Sequence, residues 1–383
     1  MFLHMGTAAM SELILYAVDM PMARSFGHAA NERNKAESLV LTYEHEGLLA
    51  NSECAPRHYV TGETLASVSA ELGRVDWLRY NAALESNDPA GLLQELIECG
   101  TEPLLGFTPQ NNTCCVLELL AVDVFCRRLE TSVLTHFAGA ERYDNPKPFS
   151  QVKDSTLPVE EFLASRGPFH VVKVKATTSF AEDLKVLDTL RATLGQSTTI
   201  VFDVNMGWTF DEAVDRCKTL RDLHVNIVEE PLPPRNFSAL AKLQRTTGID
   251  VMLDESLCSR WDAEQAIQLN SCSYFNLRVA KLGGITRALE LSRYADAQGI
   301  GYQVGVQVAE CATLIDAGRT LSFLLPKAFT TEAGQSDLFF RAPVARPSST
   351  VNRVDNVITA PTDIGFGTVV GTTITQFDHL RLI

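Results

Sequence analysis

Five short apolar runs, each closed by a charged residue, follow one another along the chain: VVKVK (171–175), IVFD (200–203), NIVE (226–229), VMLD (251–254) and YFNLR (274–278). Their closing positions are 24 to 28 residues apart, which leaves room for one strand, one helix and two loops. A (β/α)₈ barrel uses roughly 30 residues per unit and carries its chemistry where its parallel strands end. The spacing therefore predicts successive βα units whose closing charges meet at one mouth of a barrel.

The two-residue period of a β-strand decides which side chains share a face. Lys173 and Lys175 have the same parity, so both face one side of their strand while the valines beside them face the other. Asp203 and Asn205 also share a face. We therefore expect a lysine pair close to an Asp–Asn pair, with Asn205 available to a substrate.

Acidic residues close three consecutive runs, at Asp203, Glu229 and Asp254. Carboxylates without Cys or His among them form a hard oxygen ligand set, which suits Mg²⁺, or Mn²⁺, and argues against structural zinc. Glu230 and Glu255 stand beside two of these residues, and a strand register shifted by one would exchange them for the ligands. The pattern predicts one divalent metal site at the mouth.

The sequence resembles the enolase superfamily, in its muconate lactonizing enzyme and mandelate racemase-like branch. Five segments in order carry the resemblance: KVK (173–175), DVNMGW (203–208), EEP (229–231), DES (254–256) and RVAKLGG (278–284). It implies an α/β fold, a (β/α)₈ TIM-like barrel with an N-terminal α+β capping domain that the C-terminal tail completes. It also implies Mg²⁺ on the three acidic residues, and Lys175 as the base that takes a proton α to a carboxylate. Lys173 would be the electrostatic neighbour of that base.

One position departs from the family pattern. Where the branch usually has a second catalytic lysine, ahead of the Gly-Gly pair, this chain has Arg278. Arginine stays protonated in proteins, with a pKa above ~12, and is a poor proton acceptor. Lys281 follows three residues later with the opposite strand parity, so we do not expect it to replace the missing base. We therefore predict a single-base enzyme that uses Lys175 for β-elimination, as a dehydratase, or for cycloisomerisation.

Three other functions are compatible with the same residues. A racemase or epimerase of an amino-acid derivative would need an acid on the opposite face, for which Lys281 and Glu310 are candidates. A non-catalytic barrel retained for binding would show no effect of Mg²⁺ on its thermal stability. A barrel aldolase would use Lys175 as a Schiff base, and borohydride would trap the adduct.

The chain is long enough for a barrel and a second domain. We predict a capping domain over residues 1–130, a catalytic barrel over 131–340 and a C-terminal tail over 341–383 that returns to the capping domain. The first barrel strand is expected at 132–136 and the eighth at 328–332.

The resemblance also implies that the N-terminal domain caps the barrel mouth and that its loops help choose a small carboxylate substrate. Residues 26–30 and 56–62 form these loops in the prediction. Polar residues there or near the last barrel strands are candidate substrate contacts: His28, Arg57, His58, Lys281, Glu310 and Glu332.

Composition excludes several classes of partner. The chain has 33 basic and 47 acidic residues and a formal net charge of −14, so nucleic acid and anionic membrane surfaces are not expected partners. Its nine cysteines are odd in number and without paired spacing beyond one adjacent pair, which predicts reduced thiols in a cytoplasm. No run approaches the ~18 apolar residues of a membrane helix, and no signal-peptide pattern opens the sequence. The family resemblance also implies a homo-oligomer.

Overall fold

The N-terminal layer is an antiparallel sheet. The computed structural model describes residues 11–28, 31–139, 143 and 145–383 of the chain. The strands of this sheet are β1 (Glu12–His28), β2 (Asn31–His45), β3 (Leu48–Cys54) and β16 (Asp378–Arg381), in the order β16-β1-β2-β3. A two-residue turn joins β2 to β3, and both of its residues, Glu46 and Gly47, have positive φ. Such turns match the twist of the paired strands. The C-terminal residues thus return to pair with the first strand.

Seven helices follow the sheet: α1 (His58–Thr61), α2 (Leu65–Leu72), α3 (Trp77–Leu84), α4 (Pro89–Cys99), α5 (Glu102–Leu105), α6 (Asn111–Arg128) and α7 (Val133–Ala138). Helix α6 is buried over almost its whole length, because it packs against β3 on one side and barrel helices on the other. Within the described residues, no helix combines the length and the apolar character needed to cross a membrane.

The second layer is a parallel barrel sheet. Its strands lie in chain order: β5 (Gln151–Lys153), β6 (Val171–Lys175), β7 (Thr199–Asp203), β8 (Ile227–Glu229), β9 (Asp250–Leu253), β10 (Tyr274–Leu277) and β11 (Gly301–Val304). Lys175 pairs in register with Asp203, and Asp203 pairs with Glu229. This register brings the predicted closing charges of three strands to the same level.

Helices alternate with these strands and cover them: α8 (Val159–Arg166), α9 (Phe180–Leu194), α10 (Phe210–Asp222), α11 (Phe237–Thr247), α12 (Arg260–Gln268), α13 (Val279–Leu282), α14 (Ile285–Gln298) and α15 (Thr313–Leu324). Thr209 and Glu212 form a reciprocal capping box at the start of α10.

The eighth barrel position is a bridge instead of a full strand. Residues 329–332 hydrogen-bond to β11 on one side, where Thr331 bridges Val304. On the other side Ser150, just before β5, donates its N–H to the Thr331 carbonyl at 2.8 Å. The predicted position at 328–332 is therefore right, although the segment closes the barrel through single backbone contacts.

The predicted first strand at 132–136 is wrong. These residues enter helix α7, whose N-cap Ser132 accepts a hydrogen bond from the N–H of Thr135 at 3.0 Å. The buried Val133 and Leu134 make the segment apolar, which suits a buried strand and a buried helix equally. The first barrel strand is β5.

Short elements complete the chain: β4 (Lys147–Pro148), β12 (Ala345–Arg346), β13 (Val351–Asn352), β14 (Val357–Ile358), β15 (Val369–Val370) and 3₁₀ helices at Ser336–Leu338 and Thr372–Gln376. Strand β4 pairs with β14, so the C-terminal segment also contacts the polypeptide that precedes the barrel.

A buried carboxylate joins the N-terminal sheet to the barrel. Glu53 of β3 is fully buried and accepts backbone N–H bonds from Cys311, Ala312 and Leu314 at 2.9, 2.8 and 3.1 Å. These N–H groups lie at the N-terminus of helix α15. Backbone N–H groups there lack intrahelical acceptors, and the helix dipole favours a negative charge. The contact fixes the loop between β11 and α15 against the capping sheet.

Replacing Glu53 with alanine is expected to lower the free energy of unfolding by about 3 kcal/mol, because several buried N–H groups lose their acceptor. Urea denaturation followed by circular dichroism measures this. Glu44→Ala, on an exposed position of β2, is the matched control and should change stability little. Equal stabilities of the two variants would contradict the role given to Glu53.

Candidate active site

The closing residues of the barrel strands form one buried cluster. Lys175 ends β6 and Lys173 lies two residues before it, Asp203 ends β7 and Glu229 ends β8. Each is at most 8% exposed. Asp254 follows the end of β9 and is also buried. The lysine pair faces the carboxylates, as strand parity predicts.

Lys173 lies at the centre of an ion-pair network. Its Nζ is 3.0 Å from Asp203 Oδ2 and 2.8 Å from Glu229 Oε1 and from Glu332 Oε1. Burial alone lowers the pKa of a lysine, but the surrounding carboxylates outweigh burial and hold the pKa of Lys173 well above its usual value. Lys173 is therefore a fixed positive charge.

Lys175 lies at the edge of this network, where it reaches open space. Its Nζ is 2.5 Å from Asp203 Oδ2 and 3.3 Å from Asn205 Oδ1. Asn205 has a positive φ of 48°, a conformation that Asn tolerates better than most residues, and its Nδ2 donates to Glu255 Oε1 at 3.1 Å. Asn205 therefore presents its oxygen to the lysine.

Asp203 remains ionised between the two lysines. Burial on its own raises the pKa of a carboxyl group, yet the Lys173 and Lys175 ammonium groups lower the pKa of Asp203 below its ordinary range. The carboxylate can thus accept from both lysines at once.

Asp254 is held by two cations. Arg278 Nη2 contacts its Oδ2, and Lys281 Nζ lies 2.9 Å from its Oδ1. Lys281 also donates to the carbonyls of Asp254 and Asn276 at 2.7 and 2.8 Å, so its three N–H donors all have acceptors. Lys281 follows the strand on helix α13, so strand parity does not decide the direction of its side chain. Lys281 contacts Asp254, and its proposed substrate contact stays a prediction.

The acidic neighbours Glu230 and Glu255 have other partners than the lysines, and Glu255 Oε1 accepts from Asn205 Nδ2. Glu230 accepts from the N–H groups of Asp254 and Ser256 at 2.8 and 3.0 Å and from the Ser256 hydroxyl. Burial raises the pKa of Glu230 to about 7. Its side chain thus supports the loop after β9, while Glu229 faces the lysines.

The three acidic residues have the chemistry of a Mg²⁺ ligand set. Each is completely buried, and Glu229 Oε2 accepts no hydrogen bond although it lies 2.8 Å from Lys173 Nζ. Burial, together with the charge of Asp203, raises the pKa of Glu229 to about 8, so a cation beside it would be favourable.

The carboxylates are nevertheless paired with side-chain cations in this structure. In the described part of the chain, no three His, Cys, Asp or Glu side chains are spaced to hold a metal ion as they stand. Lys173 bridges Asp203 and Glu229, and Arg278 Nη2 lies 3.8 Å from Glu229 Oε1. The donor set fits a hard divalent cation, but binding requires these contacts to open.

The predicted substrate contacts of the capping domain have different surroundings. Arg57 is buried and donates to the backbone carbonyls of Glu37, Pro56 and Val308 at 2.9–3.0 Å, so its guanidinium ties the cap to the loop after β11. His58 lies exposed on α1. The side chain of His28 lies outside the described residues.

The two late acidic candidates also differ. Glu332 borders the cavity and pairs with Lys173 at 2.8 Å. Glu310 is buried, accepts from the N–H of Gln307 at 2.7 Å, and has its pKa raised by burial and by Glu53. The structure thus brings Glu332 into the cluster.

A cavity at the mouth contains the exposed faces of this cluster. Its described lining combines polar residues of the barrel with apolar residues of both layers: Phe26, Tyr59, Val152, Lys175, Asn205, Arg278, Val306, Gln307, Val308, Glu332, Gln335 and Phe339. Sequence reasoning did not single out the two glutamines, because neither belongs to a motif. The aromatic residues have a partial signal, since Phe26 and Tyr59 fall in the predicted cap loops, although the structure places Phe26 on β1 and Tyr59 on helix α1.

Comparison with known proteins identifies the family. A family model described as "Enolase C-terminal domain-like" matches residues 158–373. The chain is 26% identical to the N-succinyl-L-Arg/Lys racemase of Bacillus cereus, over 81% of this chain and 82% of the relative. It is 35% identical to the D-Ala-D/L-Ala epimerase of Cytophaga hutchinsonii, but that match covers only 37% of this chain and 38% of the relative.

Solved structures agree on the fold. The crystal structure of the Bacillus cereus N-succinyl Arg/Lys racemase superposes with a TM-score of 0.83 at 21% identity, covering 98% of this chain and all of that one. With the family model spanning more than half of its length, the chain belongs to the enolase superfamily of enzymes.

Proposed function

We propose that this protein is a Mg²⁺-dependent enzyme in which Lys175 removes the proton α to the carboxylate of a small substrate, leading to β-elimination or cycloisomerisation. One observation carries the single-base assignment. Lys175 and Arg278 are the cationic side chains of the described cavity lining, whereas Lys281 has all three donors engaged. Names of relatives that include chloromuconate cycloisomerase support a cycloisomerase-like chemistry.

Asp203, Glu229 and Asp254 would hold the metal ion. When bound, a divalent cation stabilises the negative charge that develops on a carboxylate as its α-proton leaves. Removal of the proton is the task of Lys175, which Asp203 and Asn205 orient towards the cavity. A complex of Mg²⁺ with a related dipeptide epimerase of Cytophaga hutchinsonii supports the choice of metal.

Arg278 faces Lys175 across the mouth. Strands β6 and β10 are four places apart in a ring of eight positions, and Lys175 and Arg278 stand at their ends. Burial lowers the pKa of a guanidinium, but Asp254 and its acidic neighbours outweigh burial and raise the pKa of Arg278 above its usual value. Arg278 can donate hydrogen bonds on this face, but it cannot take a proton from the substrate.

Racemisation or epimerisation of an amino-acid derivative is the second candidate. Several relatives have such names, including a hydrophobic dipeptide epimerase of Enterococcus faecalis. This reaction needs a proton donor on the face where Arg278 stands. It remains a prediction that Mn²⁺ can replace Mg²⁺, that the protein forms a homo-oligomer and that it is located in the cytoplasm.

Proton exchange in D₂O separates the two candidates. The Mg²⁺-loaded protein is incubated with both enantiomers of a set of α-substituted carboxylic acids, and NMR records deuterium at the α-carbon. The proposal predicts exchange, elimination or cyclisation of one enantiomer without inversion. Rapid inversion of the α-carbon with deuterium gain would instead show that protons are exchanged on both faces of that carbon.

Replacing Arg278 with lysine is expected to raise exchange of the unreactive enantiomer about tenfold or more, because lysine can release and accept a proton whereas arginine cannot. The same NMR assay measures this gain. Arg260→Lys, at the exposed start of α12, is the matched control and should leave both rates unchanged. Equal exchange of both enantiomers by the unmodified protein would contradict the role of Arg278.

A further inference from the structure

Gln307 presents a buried hydrogen-bond donor without an acceptor. Its side chain borders the cavity, is 2% exposed, and its Oε1 accepts from Arg278 Nη1 at 3.3 Å. Arginine has only donors, so the amide oxygen must face Arg278 and the amide nitrogen must point the other way. That nitrogen, Nε2, has no hydrogen-bond partner. The orientation of the carboxamide is therefore fixed by chemistry.

The backbone around Gln307 keeps this donor in place. Its N–H donates to Glu310 Oε1 at 2.7 Å, and the next carbonyl, of Val308, accepts from Arg57 Nη2 at 2.9 Å. Glu53 holds the following residues from the capping sheet. A buried donor without an acceptor is unfavourable, and the contacts of this loop are to its backbone and leave the amide nitrogen without a partner. A ligand that brings an acceptor would satisfy it.

The remaining wall of the cavity is largely apolar. Phe26 of β1 and Phe339 pack edge to face with their ring centres 5.8 Å apart, and both are nearly buried. Other apolar or aromatic side chains continue this wall: Tyr59, Val152, Val306 and Val308. An apolar group of the ligand would bury its surface here.

The Gln307 donor disfavours an ammonium group on the ligand. Lys175 and Arg278 already have carboxylate partners in Asp203 and Asp254, and Glu332, the carboxylate in the described lining, is paired with Lys173 at 2.8 Å. A ligand ammonium beside Gln307 would meet its N–H₂ donor, and the carboxylate of the described lining is already engaged by Lys173. A neutral carbonyl or hydroxyl oxygen has the opposite preference.

We propose that Gln307 is a specificity-determining residue that selects carboxylates with a neutral hydrogen-bond acceptor and an apolar group over carboxylates with an ammonium group. This inference rests on the proposed function for the role of the carboxylate. It names a substrate class: a monocarboxylate whose second polar group is an uncharged oxygen acceptor and whose end is aliphatic or aromatic.

Three probes with one skeleton test this proposal. They are 4-oxo-4-phenylbutanoate, 4-phenylbutanoate and 4-amino-4-phenylbutanoate, which carry a carbonyl, a methylene and an ammonium at the same carbon. Isothermal titration calorimetry measures their binding to the Mg²⁺-loaded protein. We expect the oxo acid to bind about tenfold or more tightly than either of the others, because only its oxygen satisfies Gln307.

Two substitutions and a control make the test specific. Gln307→Leu removes the donor, and the preference for the oxo acid over 4-phenylbutanoate should fall to about threefold or less. Gln307→Glu supplies an acceptor. The affinity for 4-amino-4-phenylbutanoate relative to the oxo acid should then rise about tenfold or more. Gln298→Leu is the matched control, because Gln298 is exposed at the end of α14 and does not border the cavity in its described lining. This variant should keep the ratios of the unmodified protein.

The outcomes separate this proposal from the proposed function. Equal oxo-to-methylene ratios in the unmodified protein and Gln307→Leu overturn the role of Gln307, and so does an absence of binding by all three probes. If no carboxylic acid exchanges its α-proton, the proposed reaction is overturned. The ratios of the binding affinities of the three probes still test the role of Gln307 in that case. Thermal denaturation of each variant identifies any that is unfolded, and the remaining substitution then decides.

Discussion

Replacing Lys175 with glutamine is expected to lower the rate of α-proton exchange by about 10²–10⁴-fold, the usual contribution of a positioned general base. The reason is local: Lys175 is the lysine that borders the cavity, and Asp203 and Asn205 hold its Nζ there. The measurement is deuterium incorporation by NMR with saturating Mg²⁺ and a reactive acid found in the exchange screen. Lys175→Arg should be equally impaired, because a guanidinium keeps the charge but does not accept the proton.

The control for this pair is Lys185→Gln. Lys185 lies on α9 with its side chain 71% exposed and a solvated partner in Glu182, so its loss should leave the exchange rate unchanged. An exchange rate in Lys175→Gln within a factor of about three of the unmodified protein would assign the base to another residue, since general-base loss normally costs far more.

Loss of one carboxylate of the cluster is the second large effect. Glu229→Gln is expected to reduce turnover about 10³-fold or more, because the contribution of a bound metal ion is several kcal/mol and each ~1.4 kcal/mol is a factor of ten. Chelation of Mg²⁺ by EDTA should have an effect of similar size and be reversed by added Mg²⁺. In the unmodified protein Mg²⁺ should also raise the unfolding temperature, since a ligand that binds only the folded state stabilises it.

Glu290→Gln is the matched control for this substitution. Glu290 is half-exposed and pairs only with Arg260 among the ion pairs described, so both turnover and the Mg²⁺-dependent shift should survive. A full thermal shift by Mg²⁺ in Glu229→Gln, or activity that EDTA leaves intact, would contradict the ligand assignment.

The barrel strands could be predicted from sequence because their signal is local. Each run alternates or is continuously apolar, ends on a charge and recurs at the length of a βα unit, so Lys175, Asp203 and Glu229 fall at equivalent places. The structure gives them in register. Strand parity similarly put Lys173 and Lys175 on one side. These inferences need only the geometry of a strand and the regular repeat.

Other features depend on contacts between distant segments. The apolar run at 132–136 suits a strand and a helix equally. Tertiary packing and the Ser132 N-cap determine that it forms helix α7. Arg57 is chemically suited to bind an anion. Its guanidinium instead donates hydrogen bonds to backbone carbonyls of distant segments, which only folding brings close to it. Gln307 belongs to no motif, and its significance comes from a buried amide nitrogen without a hydrogen-bond partner, on a side chain that borders the cavity. Sequence patterns could not show any of these three.

Lys281 shows a further limit of pattern reasoning. Strand parity would apply to it only if the strand continued past Arg278, but the chain turns into α13 there. The lysine then reaches back to Asp254 with its full set of donors. A rule for strands fails at the residue where the strand ends, and that is where barrel active sites lie.

A crystal structure of the protein grown with Mg²⁺ tests the central claim most directly. The account predicts one ion with oxygens of Asp203, Glu229 and Asp254 at about 2.0–2.1 Å, the usual Mg²⁺–oxygen distance, and Lys175 Nζ directed into the cavity beside it. Carboxylates that remain bonded to Lys173 and Arg278 at saturating Mg²⁺, with no ion between them, would contradict the account.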